Sequence, residues 1–121
     1  MHTTKLQPEG YLVTTYEGII GLQEFFAGRS ENIELLEPLK NEGKKMLKLA
    51  DIIHAEMTET DHPAETKNLL GEMPFDRLAI LIEPGNIKKK ALVDLIIKGS
   101  EAEEHVHLFT DRTEAVNWLL S

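Results

Sequence analysis

Cysteine is absent from the 121-residue chain. That excludes disulfide staples, a thiolate nucleophile and any cysteine-ligated zinc or iron–sulfur centre, and it is compatible with a reducing compartment. Positive charge is scarce. The 13 Lys and Arg stand against 21 Asp and Glu, for a formal net charge of −8. Such a balance repels a phosphate backbone, because nucleic-acid binding draws on Lys and Arg that neutralise phosphates. It opposes docking on an anionic membrane as well. Apolar runs are only a few residues long, short of the roughly 20 residues that span a bilayer as a helix. Met1 to Gly10 has neither a basic n-region nor an apolar h-region, so the expectation is no signal peptide and a cytoplasmic location. Serine is nearly missing too: Ser30, Ser100 and Ser121 are the only ones, and none lies in a strand-to-helix elbow. Neither glycine-rich phosphate-cradling motif occurs. No catalytic residue, cofactor or resident metal is therefore expected.

What remains is an ordinary globular composition, 41% hydrophobic and 28% charged. The length suits one domain, residues 1–121, with a modest core. Lys5-Leu6 and Tyr11 to Tyr16 read as strands around the turn Pro8-Glu9-Gly10, an N-terminal hairpin. Gly18 and Gly21, around Ile19-Ile20, suggest the exit from the second strand. Leu22, Phe25 and Phe26 have helical spacing. Ser30 is placed to cap a second helical stretch with Ile33, Leu35, Leu36 and Leu39, in which Pro38 predicts a kink or two abutting segments. Gly43 ends it. Met46 to Ile53 reads as a buried strand. Thr58 to His62 is a polar loop, and Pro63 suits the first turn of a helix running to Gly71. Leu78 to Ile82 is continuously apolar, as in a strand covered on both faces. After Pro84-Gly85, a helix carries Ile87, Ala91, Leu92, Leu95 and Ile96 on one face and Lys88, Lys89 and Asp94 on the other. Val106 to Phe109 is a last strand. Asp111 and Glu114 have the form of a capping box opening a final helix.

Strands alternating with helices predict an α/β fold, a small, mostly parallel four- to five-stranded sheet flanked by helices with right-handed crossovers. Ligands and partners of such sheets meet the loops at the carboxyl ends of the strands. Here those loops are Glu56 to His62, Glu83 to Asn86, and Thr110 to Thr113.

Four stretches carry a family resemblance. They are Tyr16-Glu17-Gly18, Leu47-Lys48-Leu49-Ala50-Asp51-Ile52, Phe75-Asp76-Arg77-Leu78-Ala79-Ile80, and Phe109 to Leu119. In this order and spacing they resemble the STAS-fold superfamily of anti-sigma-factor antagonists and sulfate-transporter C-terminal domains, most of all its stand-alone, sporulation-antagonist-like members. The resemblance covers nearly the whole chain. It implies a STAS-like sheet flanked by helices, a bacterial regulatory setting, a non-enzymatic role and protein partners. Antagonist members carry an Asp-Ser-Ser-Gly signature, with a phosphorylated Ser, after the central strand. The matching region here, Met57 to Pro63, has neither Ser nor a matching Gly, which departs from the familiar kinase-driven switch. Thr60 or Thr58 is the replacement hydroxyl, and Thr60 the candidate phosphosite. A phosphate there would gain from a helix N-terminus and be repelled by Glu59 and Asp61.

The candidate partner- or ligand-binding residues are thus Asp51, Thr58, Thr60, Asp61 and His62. Each has a plainer reading. Thr60 and Asp61 suit a helix cap, and Asp51 suits a carboxylate that organises nearby backbone. His105 and His107 alternate on one strand face, where they suit a metal only if Glu103 or Glu104 joins them. The plainer reading is a pair of exposed strand histidines. Lys88 to Lys90 suit an anion beside the Pro84-Gly85-Asn86 loop, or a solvated helix face. Trp118, Phe25 and Phe26 read as core.

The leading expectation is a regulatory or protein-interaction module that binds a protein partner or a second copy of itself as a homodimer. Two alternatives stay open. One is a carrier of a small apolar or anionic ligand, lined by Leu22, Phe25, Phe26 and Trp118. The other is a small metal-dependent enzyme using His105 and His107.

Overall fold

The computed structural model describes residues 2–20, 29–57, 75–99 and 104–121. The expected helices over 22–26 and 63–71 and the loop over 58–62 lie outside them. The chain starts with β1 (His2–Leu6) and β2 (Leu12–Ile20), followed by α1 (Arg29–Asn41) and β3 (Leu47–Met57). Next come β4 (Arg77–Leu81), α2 (Ile87–Gly99), β5 (Val106–Phe109) and α3 (Arg112–Leu120). The five strands form one sheet in chain order, β1-β2-β3-β4-β5. β1 is antiparallel to β2, and the other three pairs are parallel.

The hairpin is closed by a short turn. Gln7 N–H donates to Tyr11 O and Gly10 N–H to Gln7 O, at 2.8 and 3.0 Å, with Gly10 at φ 98°, a conformation glycine adopts without a Cβ clash. β2 runs to Ile20, within the Gly18-to-Gly21 stretch that the sequence reads as its exit. α1 is a single helix with Pro38 inside it, where the sequence predicted a kink or two segments. Ser30 is its second residue, not its cap. Its end is the glycine stop that the sequence predicted. Gly43, at φ 76°, donates to Lys40 O at 3.0 Å, and Lys44 N–H donates to Leu39 O at 2.9 Å, the paired bonds of a Schellman motif.

Handedness explains where the helices lie. Parallel strands laid side by side in chain order and joined by right-handed crossovers have their connecting helices on one face, and α1 and α2 share it. Leu36 of α1 packs with Leu12 and Met46. Val93 and Ile97 of α2 pack with Ala50, Ile52, Leu78, Ile80, Ile82 and Val106. Among the described helices only α3, which follows the last strand, reaches the opposite face. There Ala115 and Leu119 pack on Val13, Leu47, Leu49, Ala79 and Leu81. β4 is therefore apolar at every position from Leu78 to Leu81, all buried, because helices cover both of its faces.

One reading of a helix face is overturned. α2 buries Lys89, Val93 and Ile97, and leaves Ile87 80% and Leu95 70% exposed. The sequence predicted Ile87 and Leu95 on one apolar face and Lys89 on the polar one. α2 is apolar around much of its circumference, so periodicity alone does not choose a face. The tertiary partners of Lys89 do.

Candidate functional site

β2 and β3 pair with an irregularity midway along both strands, just past the point where the β3–β4 pairing ends at Asp51 and Leu81. Thr15 pairs with Asp51, but Glu17 pairs with His54. Two residues of β3, Ile52 and Ile53, thus stand opposite Tyr16 alone, which is a β-bulge. A bulge takes backbone groups off the ladder, and those groups need other partners. Asp51 supplies one: its Oδ1 accepts the Ile53 N–H at 3.1 Å. Lys89 supplies another. Its Nζ donates to Ile52 O at 2.8 Å while pairing with Glu83 Oε1 at 2.8 Å.

Lys89 is held by the Pro84-Gly85-Asn86 turn, where Gly85 sits at φ 88°. Asn86 Oδ1 accepts the Lys89 N–H at 3.0 Å, the bond of a helix N-cap. Asn86 Nδ2 donates to Glu83 Oε1 at 3.2 Å. Burial pushes the Glu83 carboxyl up, but its hydrogen bond to Lys89, the Lys89 charge and the Asn86 amide outweigh that, and its pKa lies below the ordinary 4.5. The Lys88 and Lys90 side chains flanking Lys89 are exposed.

On the other side of the sheet, Asp51 Oδ2 receives Arg112 at 3.5 Å. Arg112 opens α3, which Asp111 caps: Asp111 Oδ1 accepts the Glu114 N–H at 3.1 Å. Next to Arg112 lies a concavity of about 330 Å³ lined by Thr3, Lys5, Gln7, Val13 and Thr15. It occupies the part of the β1–β2 surface beside α3.

Of the expected site residues, Asp51 lies within β3 rather than at its end, because the strand continues past the bulge to Met57; it is 7% exposed, with its carboxylate engaged by Ile53 and Arg112. Thr58, Thr60, Asp61 and His62, including the candidate phosphosite Thr60, lie outside the described residues. His107 stacks on Trp118, with centroids 4.3 Å apart and ring planes 14° apart. His105 precedes β5, its Nδ1 3.2 Å from Asp76 O. Among the described residues no group of three or more His, Asp or Glu side chains is placed to hold a metal ion. Trp118 packs with His107 and Phe109, and Arg77 lies over its ring. Leu22, Phe25 and Phe26, which would line the expected carrier pocket, lie outside the described residues. Sequence reasoning missed Arg112 and Glu83 as site residues, and weighed Lys89 only as an anion-attracting or solvated lysine, where the structure buries it against Ile52 O and Glu83. All three lie in, or within three residues of, the two carboxyl-end loops it named.

Neither a family model nor a curated protein sequence matches the chain. Among solved structures the chain is similar to an uncharacterized protein of the DUF3478 family from Shewanella loihica, whose crystal structure has a SpoIIAA-like fold. The TM-score is 0.53 and the identity 19%, over 98% of this chain and 92% of that one. No helix of the described residues is long and apolar enough to cross a membrane. The five-stranded, mostly parallel sheet and its flanking helices are a SpoIIAA-like, STAS-like fold.

Proposed function

We propose that the chain is a non-enzymatic interaction module that engages a protein partner, or a second copy of itself, through the carboxyl-end rim of its sheet. The observation that carries this reading is the exposure of two large apolar side chains on that rim. Ile19, near the end of β2, is 72% exposed, and Ile87, where α2 begins, is 80% exposed. Single exposed apolar residues are ordinary on a protein surface. Two at the rim where sheets of this type meet their partners are placed to act as anchors. Asp51, Lys89, Glu83 and Arg112 are engaged with one another or with the backbone of the bulge, and the two isoleucines offer apolar contact beside them.

The test compares the wild type with the double variant Ile19→Asp/Ile87→Asp. Sedimentation of the purified proteins reads self-association, and affinity capture with mass spectrometry reads a recurrent partner. The expected result is one dominant associating species for the wild type, weakened at least about tenfold in the variant, with the circular dichroism spectrum unchanged. A wild type that is strictly monomeric and recovers no recurrent protein, or a variant that associates as tightly, would sink the reading.

A further inference from the structure

The concavity beside α3 differs in chemistry from the rest of this acidic molecule. Its lining carries two cationic side chains, Lys5 and Arg112, two hydroxyls, Thr3 and Thr15, and the amide of Gln7, with Val13 as apolar lining and no carboxylate. In a chain of net charge −8, that is a local inversion of sign.

The donors on this surface are not spent on each other. Thr3 and Thr15 are register partners across β1 and β2, yet their hydroxyls bond no other described side chain. The contrast lies one residue away on the opposite face, where the register pair Thr4 and Thr14 bond Oγ1 to Oγ1 at 2.9 Å. Lys5 makes no ion pair among the described residues. Among the described residues Arg112 has one long side-chain contact, to Asp51 at 3.5 Å, for the five N–H donors of its guanidinium. A planar guanidinium serves a carboxylate with one edge and presents the other.

We propose that this concavity is a binding site for a small organic oxyanion, a carboxylate or phosphate monoester. Arg112 and Lys5 neutralise its charge and Thr3, Thr15 and Gln7 donate to its oxygens. The volume of about 330 Å³ falls at the lower end of the range for small-molecule sites, roughly 300–1,000 Å³. A small metabolite-sized anion fits that space, with its carbon skeleton against Val13. The site is separate from the apolar rim anchors. Its Arg112 also touches Asp51, so an occupant competes with Asp51 for the guanidinium.

The test is a titration followed by two-dimensional NMR at constant ionic strength, with succinate in one arm and inorganic phosphate in the other. Their relative affinities identify which oxyanion class the site takes. The expected result is saturable shifts of the Thr3, Lys5, Thr15 and Arg112 resonances, with half-saturation on the order of 1 mM. They should weaken at least about tenfold in Lys5→Gln/Arg112→Gln. Thr3→Val/Thr15→Val removes only hydroxyls and serves as the second variant if the first perturbs the fold; it should weaken binding without altering distant resonances. Shifts that fail to saturate with both anions, or affinities that persist in the variants, would overturn the proposal.

Discussion

The two faces of the sheet are built by different rules. One receives both described crossover helices, α1 and α2, because right-handed connections between parallel strands in chain order fall on the same side. Of the described helices, the other has α3 alone. Helix and sheet on the first face bury Thr14 and Tyr16 of β2 to 1% exposure. On the second face α3 reaches β3, β4 and β5, and the β1–β2 hairpin beside it keeps a cation-lined hollow. The lesson is that the connectivity of the chain, more than its hydrophobicity, decides which surface of the sheet is left available.

The sharpest way to challenge the comparison is to hollow out both faces. Leu49, under α3, and Ile52, under α2, are each fully buried. Leu49→Ala and Ile52→Ala should each cost about 2–5 kcal/mol in urea unfolding. A loss at Leu49 below about 1 kcal/mol would mean that α3 is not docked as described. The threonines give a smaller and more selective contrast. Thr14→Val leaves the hydroxyl of Thr4 without its partner on the covered face, and about 1 kcal/mol should be lost. Thr15→Val on the open face should stay within about 0.5 kcal/mol of wild type. Equal effects would erase the distinction between the faces.

The smallest effect is electrostatic. The Glu83 carboxyl titrates below its ordinary 4.5, so its contribution is fully present above that value and fades as pH falls through the lower folded pKa. The stability gap between wild type and Glu83→Gln should thus be steady near neutrality, below about 1 kcal/mol for a partly exposed pair, and shrink in acid. A gap that widens on acidification would contradict the Lys89 pairing.

Much of the fold was legible from residue order. The apolar run Leu78 to Ile82 announced a strand covered on both sides, and Gly43 and Asp111 marked helix ends that the structure places there. The alternation of strands and helices carried the layout to a SpoIIAA-like fold. The orientation of α2 was not legible. Ile87, Ala91 and Leu95 share the spacing of a buried stripe, and only the carbonyl of Ile52, 37 residues earlier, selects the turn of the helix that carries Lys89 instead. The hollow was hidden for a similar reason. Thr3, Lys5 and Thr15 look like any polar outward positions of a hairpin, and their meeting with Arg112 needs a contact across nearly the whole chain. For the candidate site, Asp51 was singled out as a carboxylate at a strand end, but β3 continues past it to Met57, because the bulge lets the strand go on pairing with β2. Its role as the acceptor for Ile53 fits the plainer of its two readings.

The doubled residue opposite Tyr16 also constrains how the gene can be edited. Removing the codon for Ile53 would straighten β3 and still leave Ile52 and Ala55 pointing inward, so a designer checking only the hydrophobic pattern would see no fault. Yet the shortened strand would leave the Asp51 carboxylate and the Lys89 ammonium, on opposite sides of the sheet, without the backbone groups they now hold. Length at that point is fixed by charge rather than by packing.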